Sequence, residues 1–292
     1  MKGMAVVAGL LGLVLAGTAG AQALPDGLLD QGPKPRLGYH LHLSSADESE
    51  QSLATQLSNP VASLISVPFQ LNWNQGMGTG DGTQTYMNIQ PVIPISISDD
   101  WNLISRTILP LVSLSDMTPE FGTENGLGNT TQSFFFSPKA PTKGGLIWGV
   151  GPVVQIPTAT NGIAPNQWGA GITGVALTQK KGWTVGILAN QIWSVNKEDQ
   201  FGESSNMFLQ PFISYSTKKA TSFTLNTEST YDWINEEWSV PINFTVGQIV
   251  KLGGKPVQIT GGVRYWAESP EGGAEGLGAR LVVTYLFPKG RS

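Results

Sequence analysis

Residues 238–246 read WSVPINFTV. Trp238, Val240, Ile242, Phe244 and Val246 take every second place, with Ser239, Pro241, Asn243 and Thr245 between them. A period of two belongs to a strand whose successive side chains point to opposite faces, so this stretch has one apolar face and one polar face. The same period recurs along the chain. It runs through Met87, Ile89, Pro91, Ile93, Ile95 and Ile97, then through Leu146, Trp148, Val150, Pro152, Val154 and Ile156, and again through Val257, Ile259, Val263 and Tyr265. Twelve strand-like segments are expected, near 64–75, 85–98, 101–115, 128–138, 145–158, 168–180, 183–195, 206–217, 221–233, 237–251, 255–268 and 276–287.

Composition agrees with an all-β chain of many turns. The 292 residues include 36 Gly, 19 Pro and 9 Trp, and only 13% are charged, about half the share usual in a soluble globular protein. The formal net charge of −4 offers no basic face to neutralise phosphates, which argues against nucleic-acid binding. No cysteine is present. Disulfide scaffolds, thiolate metal sites, iron–sulfur clusters and thiol nucleophiles are thereby excluded.

The N-terminus reads as an export signal spanning residues 1–23. Lys2 supplies a basic start, Met4 to Ala16 an apolar run, and Ala21-Gln22-Ala23 a small-residue cleavage site. Residues 24–60 form a separate segment. In it, Ser45 to Ser58 has an acidic start and an apolar stripe of Leu53, Ala54 and Leu57, the pattern of a short helix, either a plug that docks in the lumen or a loosely ordered periplasmic helix. A strand region follows over 61–287, with a tail at 288–292. No later run of about 18 apolar residues exists to form a membrane helix.

Two all-β architectures compete for residues 61–287, a soluble sandwich and a transmembrane antiparallel up-and-down barrel of about twelve strands. The connections favour the barrel, since short turns and mostly longer loops alternate along the chain. Charge alternates with them. Lys139, Lys143, Lys180, Lys181, Lys218, Lys219, Lys251 and Lys255 fall in the short set. Asp116, Glu120, Glu124, Glu198, Asp199, Glu203, Glu236, Glu268 and Glu271 fall in the other, the exceptions being Asp99 and Asp100 on the short side and Lys197 on the long one. A barrel has two chemically different ends and a sandwich does not. The expected orientation places the lysine-rich turns and both termini in the periplasm. Lipid and the barrel assembly machinery are the expected partners, and the outer membrane the expected location. The last strand alternates Ala279, Leu281, Val283, Tyr285 and Phe287. It resembles the terminal assembly signal of bacterial outer-membrane barrels, with Tyr285 and Phe287 in the aromatic places. Trp73, Trp101, Trp168, Trp183, Trp193, Trp233, Trp238 and Trp266 lie near expected strand ends, as in an interfacial girdle. Pro68, Pro91, Pro94, Pro110, Pro152, Pro211 and Pro241 interrupt expected strands. Proline cannot donate to a ladder, so bulges are expected there.

Candidate chemistry is sparse. No phosphate loop, zinc motif or nucleophile elbow appears. His40 and His42 are the only histidines, too few for a metal site, and neither lies on a strand to serve a membrane-embedded hydrolase. No metal, cofactor or enzymatic activity is expected. The informative residues are charges within strands: Arg106, Glu228, Arg264 and Arg280. An Arg facing lipid at mid-membrane costs about 2–4 kcal/mol, so all four should face the lumen. They are candidates for a structural ion-pair network or a selective constriction. Arg106 fits least well, because Ile104 and Ile108 share its phase.

The stretches NIQPVIPISISDDWNLISRTILP, TQSFFFSPKAPTKGGLIWGVGPVVQIPTAT, SFTLNTESTYDW and GVRYWAESPEGG resemble an outer-membrane family named for the meta-pathway of phenol degradation. Its members are often labelled simply as transporters, and some as neuromedin U. The resemblance implies an outer-membrane channel for small organic, often hydrophobic or aromatic, solutes. It carries over no functional residue. A non-transporting barrel of structural or adhesive role is the alternative.

Overall fold

A computed structural model describes residues 45–120, 122–195 and 202–288, the side chains from residue 50 on. The expected signal, His40, His42, Glu198, Asp199 and the end of the tail lie outside the described residues. The chain opens on one helix, α1 (Ser45–Leu57), and continues as strands. In order they are β1 (Ile65–Met77), β2 (Gly82–Ile89 and Val92–Ser96), β3 (Trp101–Ser115) and β4 (Thr123–Leu127 and Thr130–Pro138). Then come β5 (Leu146–Ile156), β6 (Gly169–Lys180), β7 (Trp183–Ser194) and β8 (Ser205–Ser216). The last four are β9 (Thr221–Thr227 and Ser229–Asp232), β10 (Glu237–Leu252), β11 (Lys255–Glu268) and β12 (Glu275–Phe287). Each pairs antiparallel with the next, and β12 closes on β1 from Ile65↔Phe287 to Gln75↔Glu275. The fold is therefore a closed antiparallel barrel of twelve strands, and closure leaves no free sheet edge along the paired length.

The outward face is apolar. Leu71, Ile93, Ile95, Val150, Ile172, Val185, Ile187, Leu225, Phe244, Val263 and Leu281 are all exposed. In water so continuous an exposed apolar surface would aggregate; in hydrocarbon it is the solvent-compatible side. Aromatic rings gather at both ends of this band. Trp101 and Trp148 meet edge-on near the short turns, as do Tyr231 and Trp233 near the longer loops. Trp183 and Tyr215 add a tilted pair near the short turns, with centroids 4.8 Å apart. Trp266 departs from the expected girdle. Two residues beyond the inward Arg264, it shares that phase and donates its indole N–H to Asn74 Oδ1 at 3.3 Å inside the barrel.

The prolines mark interruptions in the wall. Pro91 sits in the gap between the two segments of β2, and Pro211 faces the gap between the two segments of β9. The β4–β5 ladder is interrupted opposite Pro152, between Ser133↔Val153 and Phe136↔Val150. At Pro110 the β3–β4 register changes, from Ile108↔Thr131 to Leu111↔Leu127, giving β4 one extra residue. At Pro241 the β10–β11 register shifts as well. Bulges were expected at all seven strand prolines. Pro110 and Pro241 have them, Pro91, Pro152 and Pro211 stand at gaps without a slip, and Pro68 and Pro94 pair in unbroken register with Thr284 and Ile104.

Hairpins at one end are tight. Lys181 and Gly182 have φ of 52° and 83° and join β6 to β7; Gly253 and Gly254, at 57° and 78°, join β10 to β11. Positive φ at both central residues matches the twist of the flanking strands. The lysine-bearing turns share this end. The first long connection is shorter than the sequence implied, since β1 runs on to Met77 and β2 starts at Gly82.

Candidate functional site

The interior divides along the barrel axis. Toward the short turns an apolar cluster stands among small buried polar side chains such as Asn102, Ser137, Thr184 and Ser216. Ile104 and Phe135 are fully buried and pack with Val175, Leu177, Leu188 and Val61. Val61 belongs to the segment between α1 and β1, which enters the lumen. Gly149 makes room for it, because a Cβ there would stand 3.2 Å from both Phe135 Cβ and Val61 Cγ1. Helix α1 lies across the short-turn opening. Ala54, Leu53 and Leu57 pack against Ala220, Ile249 and Leu286. Gln179 donates to Thr55 O at 2.7 Å, Gln51 to Ser216 O at 3.2 Å, and the Ser58 and Thr184 hydroxyls are 2.7 Å apart. An exposed pair, Lys251 Nζ to Glu50 Oε1 at 2.9 Å, flanks it.

Toward the long loops the interior is charged. Glu228 lies between the two segments of β9, beside Pro241, whose carbonyl accepts its N–H at 3.4 Å. Arg280 grips its carboxylate with both arms, Nη1 to Oε1 at 2.8 Å and Nη2 to Oε2 at 2.6 Å. Arg264 approaches the same Oε2 at 3.7 Å. Both arginines are buried, at 3% and 6% exposure. Asn72 Oδ1 accepts from Arg280 Nε at 2.7 Å and from Arg264 Nη1 at 3.3 Å. Arg264 also donates to the Tyr86 hydroxyl, and its guanidinium lies 4.8 Å from the Trp266 ring. A planar fork gripping a carboxylate twice fixes geometry as well as charge. Two like charges are thus held by one carboxylate, one amide and two rings.

Arg106 is placed differently. On β3 it faces inward, as Ile104 and Ile108 do; these isoleucines belong to the apolar part of the lumen, so their shared phase is inward. Its Nη2 donates to Gln90 Oε1 at 3.1 Å, and Gln90 Nε2 donates on to Gln70 Oε1 at 3.3 Å. Among the described residues no carboxylate oxygen lies within 4 Å of it. The four strand charges thus separate into a bound trio and a lone Arg106. Asn72 and Tyr86 were not singled out in the sequence, although both share the inward phase of their strands with Gln70, Asn74, Gln84 and Asn88.

Between the two regions lies a cavity of about 340 Å³. Leu57, Asn59 and Ala62 floor it; Glu228, Arg280 and Arg106 reach it from above. Polar side chains such as Gln210, Asn226 and Gln258 line it together with Ile108, Phe208 and Phe212. The outward Tyr285 and Phe287, on the last strand, pair with β1 at Val67 and Ile65. Among the described residues no group of three or more His, Asp or Glu side chains is placed to hold a metal.

No model of a known protein family matches the chain, and no curated protein does. Solved structures do. An outer-membrane channel from Pseudomonas putida F1 matches with a TM-score of 0.60 at 15% identity, over 77% of this chain and 94% of that one. The outer-membrane phospholipase A of Escherichia coli matches less well, at 0.46 and 8%, over 76% and 90%. The β-domain of the Bordetella autotransporter BrkA gives 0.44 and 9%, over 77% and 100%. The fold is that of outer-membrane β-barrels.

Proposed function

We propose that this chain is an outer-membrane channel for passive passage of small organic solutes. The observation that carries the reading is the cavity. A barrel built only for support can fill its interior with side chains, as barrels of eight strands do. This one keeps about 340 Å³ open, lined by polar groups and by aromatic and aliphatic ones. The apolar outer band and the aromatic rings at both its ends support residence in a bilayer. The likeness in fold to an outer-membrane channel supports the channel reading, and the resemblance of the quoted stretches to the phenol meta-pathway family supports the finer one, in which hydrophobic or aromatic solutes pass. Such a solute would meet Phe208 and Phe212 with amides such as Gln210 and Asn226 beside them. Helix α1 and the Val61 segment close the short-turn mouth in this state, so passage requires them to move.

Liposome swelling with aromatic, sugar and amino-acid solutes tests this. Swelling is expected for at least the aromatic set. Absence of swelling with every solute, in liposomes whose barrel has folded, would overturn the channel and favour a structural barrel.

A further inference from the structure

We infer that the cavity recognises small organic anions with an apolar body, and that Arg106 is the residue that binds their carboxylate. This rests on the channel reading and narrows it to a substrate class. Three observations lead to it.

The first is the bookkeeping of the interior charges. Arg280 is engaged by Glu228 and Asn72; Arg264 is held by Tyr86, Asn72, the Trp266 face and the flank of Glu228, and it does not line the cavity, its one unpartnered donor, Nε, being buried. Neither has a free fork. Three arginines stand against one glutamate, so an anion entering the cavity is attracted.

The second is the geometry of Arg106. A guanidinium carries five N–H donors in a rigid fork. Among the described residues one of them is used, by Gln90, which Gln70 holds in turn. The chain Gln70–Gln90–Arg106 fixes the side chain's direction, while Glu228, whose two oxygens Arg280 already holds, acts on Arg106 only at longer range and leaves its fork without a carboxylate in hydrogen-bond reach. Such an oriented fork suits a carboxylate, which it can bind through two parallel hydrogen bonds.

The third is the apolar part of the lining. Ile108, Phe208 and Phe212 share the cavity with Arg106. Ligand pockets typically pair a mainly apolar lining with a few polar groups that set orientation. At about 340 Å³ the space is at the small end of such pockets, which run from about 300 to 1,000 Å³. One aromatic or alicyclic ring with a single carboxylate satisfies charge, lining and size together.

The test is equilibrium binding to the full-length barrel in detergent, by titration calorimetry. The probes are benzoate, its neutral counterpart benzyl alcohol, and acetate, which has the charge without the ring. Wild type is expected to bind benzoate more tightly than either of the others. Arg106→Gln is expected to lose about tenfold or more in benzoate affinity, the scale of a charge-assisted bidentate pair, with benzyl alcohol unchanged. Gln90→Leu, which removes the acceptor orienting Arg106, should weaken benzoate less. Equal binding of benzoate and benzyl alcohol by wild type would overturn the inference, as would unchanged benzoate affinity in Arg106→Gln. The wild-type comparison decides the matter even if the variant does not fold. Because binding is read in detergent, a failure of swelling would sink the channel and leave this result standing on its own.

Discussion

The short-turn half and the long-loop half of the lumen solve one problem by opposite means. Both fill a space that a twelve-stranded wall leaves open. Near the short turns the filling centres on an apolar cluster and is partly borrowed, for Val61 comes from the segment ahead of β1 and packs on Ile104 and Phe135. Near the long loops it is polar and built from the wall itself, from Glu228, Arg264, Arg280, Asn72 and Tyr86. Apolar packing is tolerant of small displacement and is not directional. The charged cluster is directional, and each member depends on the others' positions. The half with the borrowed piece can therefore open without breaking the wall. The half with the ion pairs holds the wall's shape.

The sharpest way to break this contrast is at its single carboxylate. Removing one partner of a buried ion pair leaves the other uncompensated, at a cost of about 3–5 kcal/mol. Glu228→Gln would strand Arg280 and loosen Arg264. The expected result is a lower midpoint of urea-induced unfolding in lipid vesicles, read by tryptophan fluorescence. A reversal potential shifted toward anions under a salt gradient should accompany it. An unchanged midpoint would mean that lumen water, rather than Glu228, compensates the arginines.

The apolar half should respond less. Val61→Ala removes two methyl groups from a buried contact, worth roughly 1.5 kcal/mol at about 0.8 kcal/mol per group. Val61 packs in the apolar cluster and Glu228 in the charged one, in different halves. The double variant should therefore lose the sum of the two costs to within about 0.5 kcal/mol. A larger coupling between them would show that the halves are one mechanical unit, and the contrast would fall.

What the sequence disclosed follows the same division. The outer face was legible because lipid demands apolar side chains at every second residue, and Ile242, Phe244 and Val246 obey it without exception. Strand β3 obscured it, since Ile104 and Ile108 are apolar and face inward, so both phases of that strand look alike. The period-two rule assumes a polar lumen, and part of this lumen is apolar. Trp266 misled for a related reason. Its place near a strand end suggested the girdle, whereas its phase with Arg264 places it within. Glu228, Arg264 and Arg280 stood out because a charge in a membrane strand has few places to go. Their partners Asn72 and Tyr86 did not, because a neutral polar residue on an inward face is ordinary. The tight packing of Val61 against Gly149 left no trace, since a glycine chosen for space reads like any other glycine.

The smallest effect is expected at the mouth. Lys251 and Glu50 form the one ion pair between α1 and the wall among the described residues, and Lys251 is 60% exposed. Exposed pairs contribute about 0–1 kcal/mol, because water screens the charges and two long side chains lose freedom in meeting. The helix has stronger holds. Ala54 is buried against Ala220 and Ile249, and Gln179 donates to the Thr55 carbonyl from inside the barrel. If packing keeps α1 in place, Lys251→Ala should move the unfolding midpoint hardly at all and leave single-channel conductance at its wild-type level. A rise in conductance with an unchanged midpoint would mean the reverse. The ion pair would then be the latch of the mouth, the apolar contacts would merely guide the helix, and opening would respond to ionic strength as a surface pair does.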